Sequence, residues 1–335
     1  MESGSGSRTR EPAWTGGRWL LLVVLMALLL LAGTGCGGSD EDEGDAVGAL
    51  SGRIDLDGSS TVEPFATRAA EGFLEDNPGV AFIVGIFPAR TRGGFERFCD
   101  GEIDLSSASR PIEDEERRAC RMRRIEYVEL QVATDALTVV VNPENDWADC
   151  LTLNELKRIW EPGSGVDSWR DVRPAFPDER LELYGPGTES GTFDYFTDVI
   201  VGGEGASRTD YMASQDDNVT VERVASARGS LGYFGLPHFS ENQDRLKALE
   251  IDGGSGCVAP SVQTAQRGDY APLSRPLFIY VNRESLGKPA VRAFVDYVMG
   301  NARRVAEETR FVPLTREQLE RERSEFDRAV EDTPA

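Results

Sequence analysis

Short strand-like runs alternate with amphipathic helical runs along most of this chain, and this alternation constrains the fold more than any other feature. The runs 53–57 and 80–87 are typical of strands, whereas 61–77 between them repeats apolar residues at helical spacing. Further along, 127–132 and 137–141 form two separate β-rich runs. The alternation predicts an α/β fold with largely parallel sheets.

The composition excludes several kinds of functional site. His238 is the one histidine among 335 residues, so a histidine-rich metal site cannot form, and a Ser-His-Asp or Cys-His arrangement has a single candidate base. Its aromatic neighbours in the sequence favour a structural role for it. The chain has 36 Lys and Arg against 58 Asp and Glu, and this net charge of −22 disfavours an extended nucleic-acid interface. The length allows two packed lobes.

The amino-terminal segment is typical of an export signal. Three arginines precede 14 apolar residues at 19–32, a run well sized for a signal peptide and short for a membrane span. Small residues and then Cys36 follow, a pattern that resembles the bacterial lipoprotein signal, with Gly33 where leucine is usual. We predict a signal at 1–35, a lipidated Cys36 and a flexible acidic tether at 36–52. The protein is then expected on the outer face of the cell membrane or in the periplasm. An ordinary cleaved signal or a short membrane anchor is the alternative.

Four cysteines remain after Cys36. An exported compartment and an even count favour two disulfides, and the absence of a Cys-x-x-Cys pair argues against zinc or redox chemistry. Three pairings are open, of which we favour Cys99–Cys120 and Cys150–Cys257. Free buried thiols are the alternative.

Four turns rich in glycine and hydroxyl residues carry the functional signal. They lie at 58–61, 91–94, 106–111 and 185–192, mostly where a helix should begin. Free backbone N–H groups at a helix start suit an oxyanion, hydroxyls add neutral donors, and glycine allows close approach. A single such turn is more often an ordinary helix cap. Four of them meeting in one cleft would form an oxyanion site.

Several stretches together resemble the substrate-binding proteins of bacterial phosphate ABC transporters, the PstS-type family of the periplasmic binding protein superfamily. They cover nearly the whole chain after the tether, in the family's order. The stretches are DGSSTVEP (57–64), TRGGFERFCDGEIDLSSASRPI (91–112), LTVVVNPENDW (137–147), LYGPGTESGTFDYF (183–196), GYFG (232–235) and PLSRPLFIYV (272–281).

The resemblance implies a type II fold of two α/β lobes, joined by two or three crossing strands and closing over one phosphate ion. Lobe 1 would comprise 53–140 and 249–335, and lobe 2 would comprise 141–248. The implied function is high-affinity binding of inorganic phosphate and its delivery to the membrane subunits of an ABC permease. The protein would be a monomer without enzymatic activity, cofactor, metal or nucleic-acid partner.

Matched turn by turn, the resemblance also implies a set of ligand-binding positions. They are Ser59, Ser60, Thr61, Thr91, Ser109, Ser190, Gly191 and Thr192. The best-known branch has an aspartate where this chain has Ser109-Arg110, and an arginine where it has Pro186. We therefore expect Arg92 or Arg110 to supply the positive charge.

A carboxylate acceptor for the ligand's proton would have to come from elsewhere. The candidates are Glu189, Asp194 and Asp57. Without such an acceptor, the site should bind phosphate and sulfate alike.

Two other functions fit the same residues. An exported hydrolase of phosphoesters or acyl groups could use Ser190, although GTESG is neither the Gly-x-Ser-x-Gly elbow nor a P-loop. A surface sensor or adhesin could use the same lobes to bind another protein.

Overall fold

The computed structural model describes residues 50–85, 90–188 and 190–333. The predicted signal, the predicted lipidation of Cys36 and most of the predicted tether fall outside these residues, as does Glu189. No helix in the described part of the chain is both long and apolar enough to cross a membrane.

Strands and helices alternate through the described chain. The strands are β1 (Gly52–Gly58), β2 (Val80–Val84), β3 (Leu105–Ala108), β4 (Tyr127–Val141), β5 (Cys150–Thr152), β6 (Glu182–Pro186), β7 (Met212–Ser214), β8 (Ser230–Gly235), β9 (Lys247–Ala248), β10 (Glu250–Asp252), β11 (Cys257–Val258) and β12 (Ser274–Asn282). The helices are α1 (Glu63–Asp76), α2 (Arg90–Cys99), α3 (Asp114–Arg123), α4 (Leu153–Trp160), α5 (Trp169–Val172), α6 (Gly191–Phe196), α7 (Asp217–Ser226), α8 (Leu236–Ser240), α9 (Val262–Arg267), α10 (Pro289–Glu308) and α11 (Arg316–Glu331). A π-helical turn (Thr197–Val201) follows α6, and a 3₁₀ turn (Glu284–Gly287) precedes α10.

One nine-stranded sheet organises the fold. Its strands lie in the order β2-β1-β3-β12-β4-β8-β6-β7, and β9 pairs with β4 at the side. β1 is parallel to β2 and β3, and β6 is parallel to β7 and β8, whereas β12 is antiparallel to β3 and β4. A small second sheet has the order β11-β10-β5. The two parallel groups confirm the predicted α/β architecture, but the antiparallel pairs that β12 and β4 form between them make the sheet mixed and not largely parallel.

β4 connects the two halves of the large sheet. The sequence predicts separate runs at 127–132 and 137–141, but the structure has one strand of 15 residues. Its first part pairs with β12 as far as Ala136, and 137–141 pairs with β8. Small and polar residues interrupt the apolar pattern at 133–136, yet the backbone stays extended because β12 supplies its hydrogen-bond partners.

Two apolar cores lie on either side of this crossing and confirm two lobes. Lobe 1 packs β1, β3 and the first part of β4 against α1, α10 and α11. Lobe 2 packs the second part of β4 with β6 and β8 around Trp160, whose ring meets Phe196 and Tyr233 edge-on. Leu249 and Tyr270 belong to this second core, so lobe 2 extends beyond 248, the boundary predicted from the sequence.

The two disulfides pair as the sequence favours. Cys99–Cys120 joins α2 to α3, and Cys150–Cys257 joins β5 to β11. Each bond therefore ties together elements of a single lobe.

Candidate functional site

A cavity of about 500 Å³ lies between the two lobes. Lobe 1 contributes three of the four predicted turns, lobe 2 contributes α6 and the turn after it, and the segment entering β12 contributes the rest. The lining residues are Ser59, Ser60, Thr61, Arg90, Thr91, Arg92, Ser109, Arg110, Asp194, Tyr195, Asp198, Val199, Glu204, Pro272, Ser274 and Arg275.

The first turn presents backbone donors at the start of α1. Gly58 ends β1 at a φ of +140°, where an added Cβ would lie 2.1 Å from the Ser107 carbonyl oxygen, so only glycine fits. The Ser59 N–H then donates to the Ser107 carbonyl at 3.0 Å, and the Ser59 carbonyl accepts from the first amides of the helix. The N–H groups of Ser60 and Thr61 have no acceptor among the described residues. Two amides at the start of a 14-residue helix are thus available to an anion.

The second and third turns are joined by their hydroxyl residues. Thr91 Oγ1 lies 3.2 Å from Ser109 Oγ and accepts the Ser109 N–H at 3.3 Å. Both side chains line the cavity. The pairing fixes the start of α2 against the end of β3.

The fourth turn lies directly behind the first. A Cβ added to Gly191 would meet Thr61 Cα at 3.5 Å, so the start of α6 faces the start of α1 across the lobes. Ser190 caps α6, because its hydroxyl accepts the Thr192 N–H at 3.2 Å. The fourth turn therefore lies next to the first, but Ser190, Gly191 and Thr192 are not among the residues that line the cavity.

Arg275, which the sequence analysis did not single out, is the cation at the base of the cavity. Its Nη2 donates to Thr61 Oγ1 at 2.8 Å, and its Nε donates to an Asp135 carboxylate oxygen at 3.2 Å. The guanidinium also lies 3.5 Å from the ring centroid of Tyr195. Arg275 is thus a mostly buried charge, 17% exposed, that contacts lobe 1, lobe 2 and the crossing strand β4.

Burial shapes the electrostatics around this arginine. Burial raises the pKa of the Asp135 carboxyl, and the positive charge of Arg275 opposes that rise. It also raises the pKa of Tyr195, so the phenol remains a neutral donor. Beside Arg275, the buried Ser274 hydroxyl has no hydrogen-bond partner within the described chain.

The two arginines predicted to carry the charge line the cavity but are paired within lobe 1. Arg110 makes a bidentate ion pair with Glu116 at 2.7 and 2.8 Å, which leaves its guanidinium partly neutralised. Arg92 is 72% exposed and pairs with Glu96 one helical turn away at 3.3 Å. Arg275, in contrast, contacts residues of both lobes, Thr61 and Tyr195.

The three carboxylates predicted as proton acceptors differ in position. Asp57 is buried, forms an ion pair with Arg97 and accepts the Gly58 N–H, and it does not line the cavity. Glu189 lies outside the described residues. Asp194 lines the cavity from lobe 2.

Two residues near Asp194 were missed by the sequence analysis. Arg90 of lobe 1 donates to a Glu204 carboxylate oxygen of lobe 2 at 2.7 Å, an ion pair across the mouth of the cavity. Burial raises the pKa of Glu204, with Arg90 opposing and the nearby Asp194 and Asp198 adding to the rise. Arg90 and Glu204 are 114 residues apart in the sequence, so no local sequence pattern predicts their contact.

Features expected of an enzyme or a metal site do not accompany the cavity. His238 packs edge-on against Phe234 at 5.4 Å and is not among the lining residues. Across the residues with described positions, no cluster of His, Cys, Asp and Glu has the arrangement of a metal site. The groups that line the cavity are neutral donors, the mostly buried guanidinium of Arg275, the paired arginines Arg90, Arg92 and Arg110, and acidic side chains on the lobe 2 wall.

Comparisons with known proteins agree with this geometry. A family model described as a PBP superfamily domain matches residues 43–302. Protein SphX of Synechocystis sp. is 44% identical over 298 residues, 88% of this chain and 85% of that protein. The phosphate-binding protein PstS of Staphylococcus saprophyticus is 36% identical over 316 residues, 92% of this chain and 94% of that protein.

Solved structures give the same result. A possible phosphate binding protein from Planctomyces limnophilus matches with a TM-score of 0.81 at 42% identity, over 84% of this chain and 99% of that one. An ABC-type phosphate transport receptor from Vibrio cholerae matches with a TM-score of 0.60 at 17% identity, over 78% and 99%, which is a likeness of fold alone.

Proposed function

Because the chain belongs to the PBP superfamily, we propose that it binds inorganic phosphate outside the cytoplasm with high affinity and delivers it to the permease of an ABC transporter. The names of its relatives support this ligand and this partner. The observation that carries the proposal is Arg275, a mostly buried cation in a cavity between two lobes that three donor-rich turns line. The chain acts as a binding protein and not as an enzyme.

The donors around the cavity are sufficient for tight binding without a metal. A hydrogen bond to a charged group contributes about 1.5–3 kcal/mol, and a partly buried helix start contributes up to about 2 kcal/mol. A dissociation constant in the micromolar range requires a net free energy of about 8 kcal/mol. Arg275, the amides of Ser60 and Thr61 and the hydroxyls of Thr91 and Ser109 can together supply this after the costs of association. Ser190, Gly191 and Thr192 would contact the ligand from the lobe 2 side.

Asp194 is the proposed acceptor for the proton of phosphate. Phosphate carries a proton near neutral pH and sulfate does not, so a carboxylate accepts a hydrogen bond from one ion and repels the other. Of the three candidates, Asp194 is the one whose side chain lines the cavity in the described structure. It stands in for the aspartate that Ser109-Arg110 replaces.

The Arg90–Glu204 ion pair is proposed to stabilise the closed arrangement of the lobes. Its two side chains come from opposite walls, so opening the cleft must separate them. Arg90 is 65% exposed, and an ion pair this exposed contributes little, about 1 kcal/mol or less. It therefore tunes the rate of opening more than the affinity.

The lipid anchor, the tether and the monomeric state are further parts of the proposal. The apolar run at 19–32 and Cys36 support anchoring through a lipid, and the acidic segment after Cys36 supports a solvated tether. Mass spectrometry of the protein from its membrane fraction tests the anchor: a lipid-modified Cys36 is expected at the new amino terminus, and an unmodified one contradicts it.

Competition calorimetry of phosphate against sulfate tests the proposed ligand. Phosphate should bind with one ion per chain, and sulfate should displace it only at much higher concentration. Equal affinity for the two ions would contradict the carboxylate mechanism and weaken the choice of phosphate. Binding that requires an added cation would contradict the metal-free site.

A further inference from the structure

The carboxyl-terminal end of α3 is an arginine-rich surface on a strongly acidic protein. Five arginines fall within eight residues of a chain whose net charge is −22. They are Arg117, Arg118, Arg121, Arg123 and Arg124. We propose that this end of α3, the basic end, contacts the anionic phospholipid surface of the membrane.

The basic end is free to contact a partner. Arg118, Arg121 and Arg124 are exposed and form no ion pair with any described residue. Arg117 and Arg123 have partners, Asp114 at 3.5 Å and Asp100 at 3.0 Å, and both of these pairs lie at the surface. Basic residues at the carboxyl-terminal end of a helix complement the helix dipole. The dipole does not explain why an apolar side chain is exposed between them.

Met122 is that apolar residue. Its side chain is 80% exposed, beside Arg121 and Arg123. An apolar side chain ringed by cations fits the boundary between phospholipid headgroups and acyl chains. One described cavity, beside α2, includes Ala119, but Met122 and the five arginines line none of these cavities.

The fold makes this surface rigid and places it away from the cleft. The Cys99–Cys120 disulfide joins α3 to α2, and the Ile125 N–H donates to the Cys120 carbonyl at 2.9 Å. β1 and β3 run from this end of lobe 1 toward the cavity, and the described chain enters β1 at the same end. A protein that contacts a membrane through the basic end therefore leaves its cleft uncovered.

Screening allows the local charge to act despite the negative total. The Debye length at physiological salt is about 8 Å, so distant carboxylates are largely screened from a surface that touches the basic end. Each arginine near an anionic bilayer strengthens binding about fivefold. Asp114 and Asp100 pair with two of the five arginines and Glu126 lies next to the cluster, so these three carboxylates reduce its net charge from +5 to +2.

Vesicle sedimentation with the full chain tests the proposal. Binding to phosphatidylcholine vesicles that contain one third phosphatidylglycerol is compared with binding to phosphatidylcholine alone. Arg8, Arg10 and Arg18 precede the apolar run at 19–32 in every variant, so their preference for anionic vesicles is the same throughout and the variants are compared with one another. The wild-type chain should prefer the anionic vesicles, and high salt should remove the preference. Replacing the three unpaired arginines (Arg118→Gln, Arg121→Gln and Arg124→Gln) should reduce the preference on the order of a hundredfold.

A matched control changes the same amount of charge on lobe 1 helices away from α3. Arg303→Gln, Arg321→Gln and Arg328→Gln replace exposed arginines of α10 and α11, and this variant should keep the preference. Equal loss in both variants, or no anionic preference in the wild type, overturns the proposal.

The alternative is that the acidic segment 40–45 covers the basic end. The wild-type chain would then bind neither kind of vesicle, whereas a variant with Asn and Gln in place of the Asp and Glu of that segment would bind the anionic vesicles. That outcome also overturns the proposal. Phosphate affinity should be unchanged in all variants, which separates this test from the proposed function.

Discussion

Replacing Arg275 by glutamine should weaken phosphate binding more than any other single change in the cavity. Glutamine keeps a neutral hydrogen-bond donor on a shorter side chain and removes the charge. The guanidinium is 17% exposed and contacts Thr61, Asp135 and Tyr195, so its position is fixed before the ligand arrives. Loss of one charge-assisted hydrogen bond costs about 1.5–3 kcal/mol, which corresponds to a dissociation constant roughly 10- to 100-fold higher.

The same substitution should also destabilise the protein, because Asp135 is left buried without its cation. Asp135 is 10% exposed, and removing one partner of a buried ion pair costs about 3–5 kcal/mol. Asp135→Asn provides the matched control. It removes the carboxylate and leaves Arg275 with an uncompensated charge, so phosphate should bind as tightly as in the wild type or more tightly. The double variant should recover much of the stability without recovering the affinity.

Calorimetric titration of phosphate, with thermal unfolding of each variant, measures both effects. Wild-type affinity in a folded Arg275→Gln variant would refute the assignment of Arg275 as the principal cation. Weak binding in Asp135→Asn as well would show that the pair positions the turns and does not act through its charge.

The remaining predictions concern selectivity, closure and stability. Asp194→Asn should reduce the preference for phosphate over sulfate in competition calorimetry, and an unchanged ratio would exclude Asp194 as the acceptor. Glu204→Gln, which breaks the contact with Arg90, should speed phosphate release in stopped-flow measurements while raising the dissociation constant about fivefold or less; an unchanged release rate would argue against the ion pair as a closing contact. Burial would raise the pKa of the Glu155 carboxyl, but hydrogen bonds from Arg173 and from the start of α4 hold the pKa below its ordinary value. This stabilisation is present above the unfolded pKa of about 4.3 and is lost as pH falls through the lower folded pKa, so Glu155→Gln should flatten that part of the acid-unfolding curve.

The oxyanion turns could be predicted from the sequence because their chemistry is local. A glycine must end β1 at Gly58 for the backbone to approach Ser107, and Ser190 caps α6. α1 starts at Glu63, two residues later than predicted, because Ser59 first closes a turn. Local signals of this kind do not depend on the order of strands in the sheet.

Arg275 and Glu204 could not be found in this way because their partners are distant in the sequence. Arg275 is 140 residues from Asp135, and the two meet only because β12 pairs with β4 across the crossing between the lobes. An arginine among the apolar residues of a buried strand is the one signal that could have drawn attention to it. For Glu204, the contact with Arg90 depends on how the two lobes face each other.

A crystal structure of the full chain grown with phosphate tests the central claim most directly. We expect one phosphate between the lobes, within hydrogen-bond distance of Arg275, of the Ser60 and Thr61 amides and of Asp194. A phosphate bound elsewhere on the protein, or a cleft without phosphate in a chain that binds one phosphate in solution, would contradict it.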